Sequence, residues 1–515
     1  MAKAVVLALL LPALAGCLAA TEQPSPTSSA GLPVLPAAAE PFTQLLCADG
    51  ALADLAGRTR ADCNFPVTTA NGPATEVHVA VNPTNPLNLA GGAKDFTLGE
   101  DPRCGKYSVW SGAYASFDGG RTWSNGLLPG YPGDARTTAL SAYACGSDPV
   151  LAFAADGTLY YAGIYSTDGE PSGPVALPPQ LAPIAGYPTV NASLAVTRSR
   201  DGGRTWDDPV LLQTREDGSI LDKEWIAVDP ATGQVYVTYI DTGPGILYVQ
   251  RSDDRGATWT EPVQLAAVDG DLQDGRDIVQ FGQVAVGPGS VVHFTFWSLR
   301  QNPGEVSGVY HTTSRDAGAT WTAPALAGRF VSVFDLQVTH KYRIVTNPAL
   351  AVDPHSGAVA IAYPNPAEVG AAPRAQADLD IFVVRSTDEG ATWSAPTRVN
   401  DDLVGPSNGQ WMPALAWGPD GTLHATWLDY RSDPLGQAAR VFYAFSRDGG
   451  ATWSPNAAVS DVPFDGTGGY HQSGAGTIGD YMGLAVSGQA VHPFWSDTRG
   501  GRNDVFAAVL PGRTG

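Results

Sequence analysis

The polar and apolar positions of this chain fall into one repeated arrangement. Seven short apolar runs each end in a turn: Val79-Ala-Val-Asn-Pro83, Val150-Leu-Ala-Phe-Ala154, Ile226-Ala-Val-Asp-Pro230, Val284-Ala-Val-Gly-Pro288, Leu350-Ala-Val-Asp-Pro354, Leu415-Ala-Trp-Gly-Pro419 and Leu484-Ala-Val-Ser-Gly488. Runs of this length bounded by Gly and Pro fit strands covered on both faces. A second run, rich in aromatic and β-branched residues, follows each, as in Val235-Tyr-Val-Thr-Tyr239, Val292-His-Phe-Thr-Phe296 and Leu423-His-Ala-Thr-Trp427. A third strand is expected at 246–251 and 380–385, and a fourth at Pro262-Val-Gln-Leu265. Four strands in units of roughly 60 to 75 residues predict an all-β propeller.

Third and fourth strands are joined by a phrase that occurs six times, S-x-D-x-G-x-T-W, at 116–123, 199–206, 252–259, 314–321, 386–393 and 446–453. Asp at a chain reversal accepts from backbone N–H groups two residues on, and the Gly after it supplies a positive φ. The Trp opens the next strand and buries a large ring. Asp118, Asp201, Asp254, Asp316, Asp388 and Asp448 are therefore read as structural turn residues rather than as a catalytic set. Aligned on the alanine of the first run, the units centre on positions 80, 152, 227, 285, 351, 416 and 485. The seventh stops after Asp504-Val-Phe-Ala-Ala-Val-Leu510, so residues 64–69 are expected to supply its fourth strand and close the ring. Seven blades are preferred, with six as the alternative.

This phrase is the Asp box, or BNR repeat, and over residues 64–515 the chain resembles the sialidase-like propeller superfamily. The resemblance implies a propeller fold; its activities include sialidases, other glycosidases and non-enzymatic proteins. Sialidases hold the substrate carboxylate with three arginines and use an Asp acid/base and a Tyr nucleophile assisted by a Glu. Their first arginine stands in an F/Y-R-I-P phrase of the first blade. Here unit one opens Ala74-Thr-Glu-Val-His78, and the similar Tyr342-Arg-Ile-Val345 precedes unit five, so the triad does not map residue by residue.

A formal charge of −21 excludes nucleic acid as a partner on electrostatic grounds. Residues 1–16 read as a signal peptide, and Leu14-Ala-Gly-Cys17 resembles a lipoprotein processing box that would leave Cys17 lipidated at a bacterial cell envelope. Residues 17–45, rich in Ser, Thr, Pro and Ala, read as a flexible tether, and 46–515 as one propeller domain, expected to be monomeric. Four further cysteines outside the cytoplasm predict two disulfides, Cys47–Cys63 and Cys104–Cys145.

Strand direction puts the Asp boxes on one face and any central site on the other, among residues before the first strands and after the second. The catalytic candidates there are Glu224, Asp148, Asp480 and Tyr481, with Glu224 and Asp148 as a carboxylate pair for glycoside cleavage. Ligand-binding candidates are Glu76, Asp95, Asp429, Arg431, Asp497 and Arg499. The triplets Asp429-Tyr-Arg431 and Asp497-Thr-Arg499 have two readings, an arginine fork for a ligand carboxylate or a brace between blades. The stretch 466–476 is glycine-rich and reads as a lip of this face rather than a phosphate cradle. No cofactor is expected; an acid-rich mouth could take Ca²⁺ through oxygen ligands, but no contiguous calcium loop is present. Two functions stay open: carbohydrate recognition with hydrolysis of glycosidic bonds, and a non-catalytic propeller that binds a surface protein or scaffolds an assembly.

Overall fold

The computed structural model describes residues 64–511 except 70–71, 100–101, 105–107, 168–190, 217–218, 243–244, 266–277, 300–305, 331–346, 367–378, 405–408, 434–436, 473–474 and 489. The signal peptide, Cys17, the tether and the Cys47–Cys63 pairing lie outside them. Seven antiparallel sheets of four-stranded blade type follow one another. The first blade is Ala74–Asn82, Asn85–Asp95, Trp110–Ser116 and Ser124–Leu127, paired in that order. Blades 2 to 6 repeat it, with innermost strands Cys145–Phe153, Leu221–Val228, Ile278–Val286, Ala349–Val352 and Gln410–Trp417. Blade 7 comprises Gly483–Val486, Ala490–Asp497 and Asp504–Ala508, and its fourth strand is Asn64–Pro66 from the other end of the chain.

The expected closure is therefore the observed one. Asn64 pairs with Ala508 and Pro66 with Phe506. Packing follows the pairing: Val77, Val79 and Ala93 of blade 1 share an apolar cluster with Ala485, Phe494 and Val505 of blade 7. Gly91 is fitted to this seam, because a Cβ there would come within 2.7 Å of the Phe494 ring. The second strands carry the interior, with Tyr236, Tyr239, Phe294, Phe296 and Trp427 buried because these strands are covered on both faces.

Each Asp box is a turn held from within. Asp118 Oδ1 accepts from the backbone N–H of Thr122 at 2.9 Å and of Arg121 at 3.1 Å, while Thr122 Oγ1 donates to Oδ2 at 2.6 Å. Asp201, Asp254, Asp316, Asp388 and Asp448 hold the fourth residue on in the same way. The reach is thus three and four residues rather than the two expected, because the corner is a wider loop than a simple Asx turn. Two residues in a row are left-handed: Gly120 has φ 88° and its counterparts are all Gly, whereas the position before it also accommodates Arg255, Ala317 and Glu389. The ring N–H of Trp123 and of Trp321 is given back to a carbonyl of its own corner, at 2.9 and 3.1 Å.

Cys104 and Cys145 form the expected disulfide between the loop after the second strand of blade 1 and the start of blade 2. Among the described residues no helix is long and apolar enough to cross a membrane.

Candidate functional site in the propeller mouth

Every innermost strand whose first turn is described in pairing with its neighbour carries an irregularity near its start. In blades 1, 2, 3, 4 and 6 the register slips between Thr75 and His78, Ser147 and Val150, Asp222 and Trp225, Gln280 and Gln283, and Trp411 and Ala414. The first bulged residue is left-handed in each: Glu76, Asp148, Lys223, Phe281 and Met412, with φ between 49° and 53°. None is Gly, so the backbone is held in a conformation that costs about 1 kcal/mol or more per residue. Such bulges re-aim side chains. Counting four residues back from the aligned alanines adds Asn347 and Tyr481 from blades 5 and 7. One residue from each blade is thereby directed to the same end of the propeller.

The charged members meet. The Lys223 ammonium lies 2.8 Å from Asp148 Oδ2 and 2.7 Å from Asp480 Oδ2, joining blades 2, 3 and 7. Ser147 also donates to Asp148. The Asp480 carbonyl accepts from the Asn347 amide of blade 5. Lys94 of blade 1 stands 3.8 Å from Glu76, beyond hydrogen-bond reach. Tyr481 donates its hydroxyl to the Pro149 carbonyl at 3.3 Å, and its ring meets Trp225 edge-on.

Burial then divides the carboxyls into two kinds. Burial alone would raise Asp148, but Lys223, the hydrogen bond from Glu76 and Lys94 outweigh it and hold it well below the usual range. Glu76 is pushed well above the usual range by burial and by the Asp148 charge, which the lysines only partly offset. Glu224 is pushed well above it too, by burial and then by Asp148. It stands where the other blades have Val77, Pro149, Gly282, Pro348, Pro413 and Met482, and neither of its oxygens has a hydrogen-bond partner among the described residues. Lys223 stays charged, because Asp148, Asp480 and Asp222 more than reverse the effect of its burial. Tyr481 is moved away from ionisation by burial and by the surrounding carboxylates.

A recess of about 250 Å³, counting open space at its mouth, is bounded by Lys223, Glu224, Trp225, Phe281, Asn347 and Tyr481, with Gly282 and Gln283. All four catalytic candidates, together with Glu76, therefore lie in or beside one cluster. Asp95 lies at the end of the second strand of blade 1, where it accepts from Tyr114 at 2.6 Å and Thr97 N–H at 2.9 Å. The two arginine triplets make the same brace in successive blades. Arg431 bonds Asp429, Asp401 and Asn456, and Arg499 bonds Asp497, Asp461 and Asn64. Both forks are taken by protein groups, and each guanidinium lies over a Phe ring of its own blade. Trp427 and Trp495 complete the repeat by donating to Asp429 and Asp497, each at 2.9 Å. The glycine-rich stretch forms a short hairpin, Tyr470–Gln472 with Ala475–Thr477.

Lys223 is the functional residue that the sequence reading left without a role. Its signal was the alignment itself, which puts a lysine at the position of Glu76 and Asp148. Among the described residues, no group of three or more His, Cys, Asp or Glu is arranged to hold a metal ion.

No family model and no curated protein matches the chain. Solved structures similar to it include a Hadza microbial sialidase, at 15% identity and a TM-score of 0.43, over 82% of this chain and 76% of that one. An α-L-arabinofuranosidase from Fusarium graminearum gives 12% identity and a TM-score of 0.45 over 87% and 97%. An α-L-arabinanase from Penicillium chrysogenum, complexed with arabinobiose, gives 14% and 0.42 over 75% and 97%. Likeness at this level carries no argument about chemistry, which rests on the mouth alone. By its own strand order, with six S-x-D-x-G-x-T-W corners, the chain is a seven-bladed β-propeller.

Proposed function

We propose that this propeller recognises carbohydrate at its mouth and cleaves a glycosidic bond there with two carboxyl groups. The observation that carries the reading is that Glu224 and Lys223 line one recess, that Lys223 is bonded to Asp148 behind it, and that the two carboxyls are pushed in opposite directions, Glu224 up and Asp148 down. Environments that push two neighbouring carboxyls apart in acidity separate a proton donor from a carboxylate, which is the division of labour in glycoside cleavage. Glu224 donates to the departing oxygen. Asp148, kept charged by Lys223, stabilises or attacks the sugar carbon. Lys223 is a positioning residue, since its ammonium donates one hydrogen bond to Asp148 and one to Asp480 and so fixes both.

Two features turn the reading away from a sialidase-type reaction. Among the described residues, the cations that act on the cluster are Lys94 and Lys223, whereas Arg431 and Arg499 are engaged in braces. Tyr481 is directed to a backbone carbonyl and moved away from ionisation, which is unfavourable for a nucleophile. Export and anchoring through Cys17 belong to the same proposal and rest on the sequence alone.

The test is hydrolysis of a panel of chromogenic glycosides by the intact propeller, with Glu224→Gln and Asp148→Asn beside it. Loss of a positioned acid or base costs on the order of 10²–10⁴-fold in rate. Sugar binding without turnover in the parent protein would leave the non-catalytic alternative.

A further inference from the structure

Two tyrosines near the start of the second strands of blades 2 and 3 stand in the same register, Tyr160 opposite Ala152 and Tyr236 opposite Ala227. Each ring lies beneath the Asp-box corner of the next blade. A Cβ at Gly256 would come within 3.1 Å of Tyr160, and one at Gly318 within 3.6 Å of Tyr236. Their hydroxyls differ. Tyr236 donates to Gln234 Oε1 at 3.0 Å. Blade 2 has Thr158, a shorter side chain, at the place of Gln234, and the Tyr160 hydroxyl has no hydrogen-bond partner among the described residues. Only 1% of Tyr160 is exposed, and leaving such a hydroxyl unpaired is costly.

Tyr160 bounds a recess of about 130 Å³ on the Asp-box side of the seam between blades 2 and 3, together with the turns at 154–156 and 229–233 and Arg255 of the blade 3 corner. Asp229 uses both carboxylate oxygens within its own turn, accepting from the Ala231 N–H at 2.8 Å and the Thr232 hydroxyl at 2.7 Å. The charged groups left at the rim are Asp156 and Arg255, with Arg255 Nη1 3.1 Å from Asp156 Oδ2 and both side chains largely exposed. Arg255 is held there with a left-handed φ of 61°, where blades 1, 2 and 6 have glycine, and its carbonyl accepts from Arg198 at 2.6 Å.

These groups select a class of ligand. The two charges balance, so neither an anion nor a cation is favoured. A guanidinium with hydrogens to spare beside a carboxylate matches adjacent hydroxyls, which donate to one and accept from the other. Ala154, Ala231 and Pro230 supply the apolar part of the wall that small-ligand sites carry. An engineered cavity of about 150 Å³ holds benzene, so the space suits a six-membered ring.

We propose that this recess is a non-catalytic binding site for one neutral sugar ring. Adjacent ring hydroxyls bridge Asp156 and Arg255, and a further ring oxygen pairs with the Tyr160 hydroxyl. The site lies on the opposite side of the propeller from the carboxyl cluster and is independent of the glycosidase reading.

Titration of the full chain with methyl β-D-xylopyranoside, followed by ligand-observed NMR, tests it. Ala155→Trp, at the exposed rim, fills the recess and leaves the mouth untouched, so the binding lost in that variant is the binding at this site. That saturable component is expected in the parent protein. Arg255→Ala and Tyr160→Phe should each weaken it about tenfold, as loss of one hydrogen bond implies. The corner accepts alanine, since Ala317 holds the same place in blade 4 with a φ of 58°. Thermal melts report that the variants are folded. D-Glucuronate, which adds a carboxylate to a similar ring, should bind no more tightly than the xyloside. No saturable binding, isotherms of Ala155→Trp or Arg255→Ala that coincide with the parent's, or tighter binding of D-glucuronate would each overturn the proposal.

Discussion

Asn64 and Asp461 come from opposite ends of the chain, and the side-chain oxygen of Asn64 accepts the backbone N–H of Asp461 at 2.8 Å. The Asn64 amide returns a bond to the Val459 carbonyl at 2.9 Å. One seam earlier, Asn456 makes the same pair of bonds to Asp401 N–H and the Val399 carbonyl, at 2.8 and 3.1 Å. The strand that closes the ring thus carries the same latch that an interior blade uses. Asn64→Ala is expected to cost about 1–3 kcal/mol, the penalty for a buried donor and acceptor left unpaired, and Asn456→Ala a similar amount. Urea unfolding of both variants checks this. If Asn64→Ala unfolds like the parent, the latch does not hold the ring.

Lys223 is a second junction. Lys223→Met leaves Asp148 and Asp480 buried without their cation, which should destabilise by about 3–5 kcal/mol. The sign with pH follows from the protons: in the variant both carboxylates gain by protonation, so its deficit should shrink as pH falls. Adding Asp148→Asn to Lys223→Met should recover part of the loss at pH 7. Melting temperatures of the single and double variants at pH 5 and pH 7 decide it.

Acid should weaken the protein through its buried histidines. Burial pushes His78, His293, His424 and His492 down to about 4 and His311 to about 3, with Arg315 beside His293, Arg121 beside His492 and His293 beside His311 adding to the effect. Asp420 opposes it at His424. These folded values lie below the unfolded value of about 6.5, so the unfolded chain takes up protons first. The contribution is complete above pH 6.5 and is lost as pH falls toward 4. By this linkage the four histidines at about 4 account for up to about 3 kcal/mol each, and His311 for up to about 5 kcal/mol. His424→Asn should flatten the profile in that window; an unchanged slope of stability against pH would count against it.

The Cys104–Cys145 disulfide closes a separation of 41 residues, which by chain entropy stabilises by about 2–4 kcal/mol. Reduction should lower the melting temperature, and Cys104→Ser with Cys145→Ser should reproduce the reduced protein.

The architecture was legible because propeller blades are local. Each strand pairs with its chain neighbour, so Ile226-Ala-Val-Asp-Pro230 and its six counterparts mark the blades one by one, and the missing seventh corner marks the closure at Asn64. The site was legible only by composition. Glu76, Asp148, Glu224, Asp480 and Tyr481 were visible as polar residues at strand starts, but a β-bulge adds a residue that no period of two reveals. In blades 4 and 6 the residues that the bulge turns out are Phe281 and Met412, which no polar pattern marks. The partners of the triplets were out of reach for another reason. Arg499 is held by Asn64, 435 positions away, and nothing local in Asp497-Thr-Arg499 announces that contact.

The most direct measurement is the pH dependence of turnover on whichever glycoside of the panel is cleaved, for the parent, Glu224→Gln and Asp148→Asn. A bell-shaped profile is predicted, its upper limb set by the raised Glu224 and abolished by Glu224→Gln, its lower limb set by the depressed Asp148 and abolished by Asp148→Asn. Turnover that survives both substitutions, or no turnover on any glycoside by a protein that binds sugar, would contradict the assignment of this mouth as a two-carboxyl glycosidase.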